Sequence, residues 1–218
     1  MGLLDFVYEY TPFIAEGVVV TLQISVISFL LGLALGIALL GLSLTSLRPL
    51  ARMYIEPVRG TPLLVQLLLI YFGLPSIGIK LDAFTSSFLA LGLNSAAYQA
   101  EIFRSALKSI PDVQILSAES LGFSGSQVYR YVILPQALRI SIPSLVNEFV
   151  TVVKESSLAS VIGIVELTRR GEYVAAYTYR ALESYLVVAA IYFAVCYLIS
   201  YLSRRIEEKI RIPGYTGA

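Results

Sequence analysis

From Val18 to Leu44 the chain carries no charged side chain, and this run limits the fold more than any other feature. About 20 apolar residues in a helix cross the roughly 30 Å hydrocarbon core of a bilayer. Within that core every backbone N–H and C=O needs an internal partner, so a single apolar run spans as a helix. Four more apolar segments follow, at 61–79, 83–103, 142–164 and 185–202. The expectation is an all-α integral membrane protein of one transmembrane domain with five transmembrane helices. The composition agrees: 57% of residues are hydrophobic and 14% charged, where a soluble domain carries about a quarter charged residues.

Gly32, Gly36 and Gly41 in the first segment predict a helix that packs closely on a neighbour, because small residues let two helices approach. Thr61-Pro62 reads as the start of the second segment. Short connections are expected after every segment except the third, which is followed by the long interval 104–139. The start of the chain lacks the basic region of a cleaved leader, so the first hydrophobic helix is expected in the mature protein.

Basic residues set the orientation. Arg48, Arg52, Arg59, Arg104, Lys108, Arg130, Arg139, Arg204, Arg205, Lys209 and Arg211 fall on one side, against Lys80, Arg169, Arg170 and Arg180 on the other. Five spans then place the amino terminus outside the cell membrane, and the carboxyl terminus and the interval 104–139 in the cytoplasm.

Several chemistries are excluded. Histidine is absent and Cys196 is the one cysteine, so His-based catalytic dyads and triads are impossible and a transition-metal site has too few ligands. Net charge is +1, which gives no support for nucleic acid as a partner. The chain has no GxxxxGK[ST] loop, so it does not bind ATP through a P-loop of its own.

The polar interval reads at 111–138 as two short helices and a turn. Pro111-Asp112 starts the first, Gly122 suits the left-handed residue that ends it, and Ser124 or Ser126 caps the second. Leu134-Pro135 is expected to break it. A short amphipathic helix of this kind either rests on the membrane or docks into a groove on a soluble partner.

This interval resembles the cytoplasmic EAA loop of the membrane subunits of ABC importers. The pattern is Glu-Ala-Ala, three residues, Gly, nine residues, Ile, one residue, Leu-Pro. It falls here on Leu116, Ser117, Ala118, Gly122, Val132, Leu134 and Pro135. The motif glutamate is replaced by Leu116, and Glu119 lies just outside the triplet. Four further blocks, RGTPLLVQLLLIYFGLP (59–75), NSAAYQAEIFRSAL (94–107), VILPQALR (132–139) and VKESSLASVIGIVELT (153–168), are similar to the polar amino acid permeases.

The resemblance implies a type I ABC importer permease fold and a subunit that is not itself an enzyme. It has no cofactor of its own: ATP and magnesium sit on cytoplasmic P-loop ATPase subunits. The other implied partners are membrane lipid, an extracytoplasmic amino-acid-binding protein and a second membrane subunit, either another copy or a related chain. The implied cargo is a polar L-amino acid, basic ones included. Ala118, Glu119, Leu121, Gly122, Leu134 and Pro135 become the candidates for coupling to the ATPase.

Polar groups inside a bilayer are costly and usually face the bundle interior. In the fourth segment Asn147, Thr151 and Lys154 share one helical face, with Glu148, Thr151 and Glu155 on an overlapping one. In the third, Asn94, Tyr98 and Glu101 share a face. The candidates for solute contact are Glu148, Asn147, Asn94, Tyr98, Gln66, Thr61 and Thr151. Glu148 can pair with a basic side chain or with the α-amino group common to all amino acids. Structural alternatives stand beside these: an ion-pair network of Lys154 with Glu155 or Glu101, and an interhelical hydrogen bond from Gln66. The stretch 166–184, rich in arginine and tyrosine, reads as an outer loop that either meets the binding protein or is simply solvated. A secondary transporter is the rival function, although no inverted repeat is evident.

Overall fold

The computed structural model describes residues 2–210, and the carboxyl terminus, including Arg211, lies outside the described residues. A long first hairpin arm is made by α1 (Leu3–Ala15) and α2 (Gly17–Ser43). Next come α3 (Arg48–Gly60) and α4 (Leu63–Leu68), the latter continued by one π-helical and one 3-10 turn to Ile77. Helix α5 (Ala83–Lys108) leads into the short α6 (Asp112–Ser120) and α7 (Gly125–Val128). Helices α8 (Leu134–Glu155), α9 (Leu167–Thr178) and α10 (Ala181–Ile210) complete the chain, and no strand occurs among the described residues.

The α2–α5 contact forms the centre of the bundle. A Cβ built on Gly32 would lie 2.7 Å from Gln99 Nε2, and one on Gly36 would lie 3.1 Å from the Ala96 carbonyl. Gly41, in contrast, faces open space, so two of the three glycines mediate the approach. Ile24, Leu91, Val152 and Ala159 join α2 and α5 to α8 and the turn beyond it. A second apolar cluster of Phe6, Ile14, Leu167, Val174, Val187 and Val188 holds α1, α9 and α10 together.

Several expectations change. By length and hydropathy, two helices qualify as spans, Leu3–Ser43 and Ala181–Arg205, or three if α3 and 63–77 count as one element bent by 107°. Five were expected. Helices α5 and α8 have 26 and 22 residues, about 39 and 33 Å at 1.5 Å per residue. Their polar side chains lower the hydropathy, but Ser86, Ser87, Asn94, Ser95, Gln99 and Ser141 are buried in the bundle. The connection 48–60 is not short loop but α3, which buries Ala51 and Ile55 against Ala97 and Ala100. The stretch 166–184 is likewise mainly α9, not an open loop.

The Leu134-Pro135 pair does not stop a helix. Residues 125–155 are continuously helical, with a π-helical turn at Tyr129–Ile133. Pro135 has no N–H to return to the fourth carbonyl behind it. The wider turn just before it, where the Leu134 N–H reaches back to the Tyr129 carbonyl, carries the chain past that gap. The same device precedes Pro75, where the Leu74 N–H reaches the Leu69 carbonyl. The fourth apolar segment, expected from 142, therefore belongs to a helix that already runs from 125, with its α8 part beginning at Leu134.

Candidate functional site

The polar residues of α5 reach out in two directions. Ser95 Oγ donates to Glu148 Oε1 on α8 at 2.7 Å. Its neighbour Asn94 donates through Nδ2 to Gln66 Oε1 at 3.1 Å. The Gln66 amide in turn donates to the Val58 carbonyl at 2.7 Å, and to the carbonyl and Oγ1 of Thr61 at 3.1 and 2.9 Å. Gln66 thus satisfies carbonyls freed at the α3–α4 bend, while Thr61 Oγ1 closes the end of α3 on the Pro57 carbonyl. Asn94, Gln66 and Thr61 form one chain, and Glu148 hangs from the adjacent residue of the same helix.

Ser95 is itself held. Gln99, fully buried, donates to Ser95 Oγ at 3.0 Å and to the Phe29 carbonyl of α2 at 3.1 Å. The line Phe29–Gln99–Ser95–Glu148 therefore runs from α2 through α5 to α8. Glu148 is partly buried, and among the described residues its Oε2 accepts from no protein group.

About one helical turn from Ser95 and Glu148, toward the ends of α5 and α8 that meet the α6–α7 interval, lies a cavity of about 500 Å3, which neither of them lines. Its wall includes Arg59, Tyr98, Glu101, Ser105, Ser109, Ser141 and Ser144. Arg59, at the end of α3, sits over the Tyr98 ring at 5.2 Å and 3.8 Å from Glu101. Glu101 is gripped two-pronged by Arg104, with Arg104 Nε at 2.8 Å from Oε1. A cavity of this volume suits a small molecule.

Other expected residues fall elsewhere. Asn147 is exposed, and Thr151 spends its hydroxyl on the Asn147 carbonyl at 3.0 Å, so neither joins the polar line. Lys154 is exposed, and no ion pair joins it to Glu155 or Glu101 among the described residues. Ser95, Gln99 and the cavity role of Arg59 were not foreseen. The available signal was Ser95 and Gln99 four residues apart on the face beside Asn94.

In the interval before α8, α6 ends as a Schellman cap. Gly122 has φ 88°, its N–H donates to the Glu119 carbonyl at 2.9 Å, and the Phe123 N–H to the Ala118 carbonyl at 3.1 Å. Ser124 caps α7, and its N–H donates to Gln127 Oε1 at 2.8 Å. Gln136 of α8 donates to Gln114 of α6 at 2.7 Å and fixes the two together. Ala118 is buried and faces inward; Leu116, Glu119, Leu121 and Gly122 are exposed. Leu134 and Pro135 lie inside the continuous helix rather than at its stop.

At the other end of the bundle Glu166 is fully buried and caps α9. It accepts from the amides of Thr168 and Arg169 at 2.9 and 2.8 Å and from the Tyr192 hydroxyl at 2.9 Å. Burial pushes its carboxyl above the usual carboxylate range, partly offset by those bonds. Arg169 pairs with Glu172 and Arg170 with Glu16, so these arginines brace α9, while Tyr173, Tyr177 and Tyr179 stay exposed.

Comparison with known proteins places this geometry. Residues 28–212 match the family described as binding-protein-dependent transport system inner membrane component. The arginine transport system permease protein of Bacillus subtilis is 38% identical over 204 residues, 92% of this chain and 93% of that one. The glutamine transport system permease protein of Escherichia coli K12 is 38% identical over 212 residues, 94% and 96% of the two chains. A crystal structure of an amino acid ABC transporter with histidines superposes with a TM-score of 0.90 at 40% identity, covering 96% of this chain and 99% of that one. The inward-facing MetNI methionine ABC transporter shares the fold, with a TM-score of 0.75 at 22% identity over 92% and 97% of the chains.

Proposed function

This chain belongs to the binding-protein-dependent transport system inner membrane components, and from that premise we propose that it is the membrane subunit through which an ATP-driven ABC importer moves a polar amino acid into the cell. Arginine and glutamine permeases among its relatives support that cargo class. ATP and magnesium belong to partner ATPase subunits, an extracytoplasmic binding protein delivers the amino acid, and a second membrane subunit completes the pathway. The amino terminus lies outside and the 104–139 interval in the cytoplasm. Exposed Leu116, Leu121 and the Gly122 turn meet the ATPase, and the exposed tyrosines of α9 offer a surface to the binding protein.

The observation that carries the solute site is Glu148. Its carboxylate is held by one hydrogen bond, keeps Oε2 uncommitted, and lies on α8 one helical turn beyond Ser144, which lines the cavity of about 500 Å3. An ammonium or guanidinium on the solute is the natural partner for that oxygen. The Asn94–Gln66–Thr61 chain starts on α5 at the residue next to Ser95, the donor to Glu148, and gives the pathway a polar wall.

The test is Glu148→Gln in reconstituted vesicles containing the full complex. Uptake should fall at least tenfold, while complex assembly and basal ATP hydrolysis persist, because a charge-assisted bond is worth about 1.5–3 kcal/mol. Dissociation of the purified complex would make Glu148 a structural strut instead. Uptake that proceeds without the ATPase subunits would return the chain to the secondary transporters.

A further inference from the structure

Helix α3 is divided lengthwise into three sectors. At about 100° per residue, Ala51, Tyr54, Ile55 and Val58 share one side, which packs on α2 and α5. Leu50 and Met53 share a second, and they are 56% and 73% exposed. Arg48, Arg52, Glu56 and Arg59 share the third. A helix with one face on protein, one apolar face open and one basic face is built for the boundary between hydrocarbon and water. The end of α2 continues the open apolar face, with Leu42, Leu44 and Leu47 also exposed.

The basic sector closes over a cavity of about 180 Å3, distinct from the larger one beside Tyr98. Its wall includes Arg48, Arg52, Arg59 and Arg104, with Glu56 and Glu101 beside them. The charge of Glu101 is taken by Arg104 and Arg59. Arg48 and Arg52 have no carboxylate within ion-pair distance among the described residues. Four cations against two anions leave the cavity with two positive charges in excess. The volume corresponds to roughly six water molecules, enough for a phosphate group and too small for a protein side surface.

We propose that this cavity binds the headgroup phosphate of an anionic phospholipid, with Arg48 and Arg52 as its forked donors and the acyl chains lying along Leu42, Leu44, Leu47, Leu50 and Met53. Arginine is suited to the task, since its planar guanidinium gives two parallel hydrogen bonds to phosphate oxygens. Ser43 lines the cavity between the exposed Leu42 and Leu44, and this apolar edge selects a lipid over a free anion, because only a lipid covers both. Basic pockets at the membrane surface recognise anionic headgroups on the same physical grounds.

The test uses the intact complex, with its ATPase subunits, in micelles carrying equal amounts of phosphatidylglycerol and phosphatidylcholine. Retained lipid is counted by native mass spectrometry. The wild-type complex should keep phosphatidylglycerol in about tenfold preference: both lipids offer a phosphate, but the choline cation of phosphatidylcholine meets the excess positive charge of the cavity. Arg48→Gln combined with Arg52→Gln should abolish the preference, and the paired lysine variant should keep only part of it. Equal retention of both lipids by the wild type overturns the proposal, and this measurement needs no variant to fold. Displacement of the lipid by glycerol 1-phosphate at equal concentration would assign the cavity to a soluble anion and overturn it too. So would an unchanged lipid preference in the glutamine variant together with loss of its ATPase subunits, which would make these arginines a protein contact.

Discussion

Replacing Gly32 by alanine tests whether the scaffold and the solute site are one device. In an isolated helix the change would stabilise by about 1 kcal/mol, since glycine is the poorer helix former. Here the new methyl would lie 2.7 Å from Gln99 Nε2, 3.1 Å from Ser95 Cβ and 3.2 Å from Ser95 Oγ. Gln99 must move, and its hydrogen bonds to the Phe29 carbonyl and Ser95 Oγ move with it. Interhelical hydrogen bonds in membranes average about 0.6 kcal/mol and reach about 1.7; overpacking adds about 1–3 kcal/mol. The cost of about 2–5 kcal/mol exceeds the propensity gain, leaving a net loss of about 1–4 kcal/mol. Function should fall as well, because the displaced Ser95 is the donor to Glu148. The assays are thermal unfolding of the detergent-solubilised complex and uptake in vesicles. Gly41→Ala is the control: nothing lies within 4 Å of the added carbon, so stability should hold or rise by up to about 1 kcal/mol. A Gly32→Ala complex as stable and as active as the wild type would refute the link between the α2–α5 seam and Glu148.

Three further outcomes are expected. Gly122→Val puts a β-branched residue at φ 88° with open space around it; strain of at least about 1–2 kcal/mol should loosen the cap of α6 and lower uptake per ATP hydrolysed, leaving membrane insertion intact. In a Cys196→Ala background, an impermeant thiol reagent applied to intact cells should label a cysteine at Ser76 and spare one at Ser124, both exposed positions; the reverse pattern would invert the proposed topology. Glu166→Gln turns one acceptor of the α9 cap into a donor facing donors and should lower stability by about 1–3 kcal/mol. Because burial raises the carboxyl above its ordinary 4.5, the folded chain holds that proton more tightly than the unfolded chain. The wild type therefore gains stability as pH falls through the raised value toward the ordinary one and loses it as pH rises. Glutamine does not titrate, so the wild-type advantage in unfolding temperature should widen on acidification, and a constant gap would sink the argument.

The first long helix was legible because nothing interrupts its apolar run: 18–44 was expected and α2 is Gly17–Ser43. Gly122 was legible because a left-handed helix end leaves few other residues. Helix α3 was not, since three narrow sectors of different chemistry average to a polar connection. The start of α8 was misplaced for a different reason. Proline forbids a carbonyl its partner, but it does not forbid a π-helical turn that carries the helix past the loss. In the site, Asn94, Gln66 and Glu148 stood out as costly groups in apolar runs, yet Ser95 did not. Buried serines in these helices usually bond their own backbone, as Ser25 does to the Thr21 carbonyl and Ser87 to that of Ala83. A hydroxyl of that kind is silent in sequence. Ser95 differs because Gln99 donates to its oxygen, which leaves its proton to give to Glu148. Gln99 in turn reaches the Phe29 carbonyl of the facing helix only because Gly32 offers no side chain in its way. The missing side chain on α2 and the held carboxylate on α8 are consequences of one another, and a helix-by-helix reading of either segment contains only half of that relation.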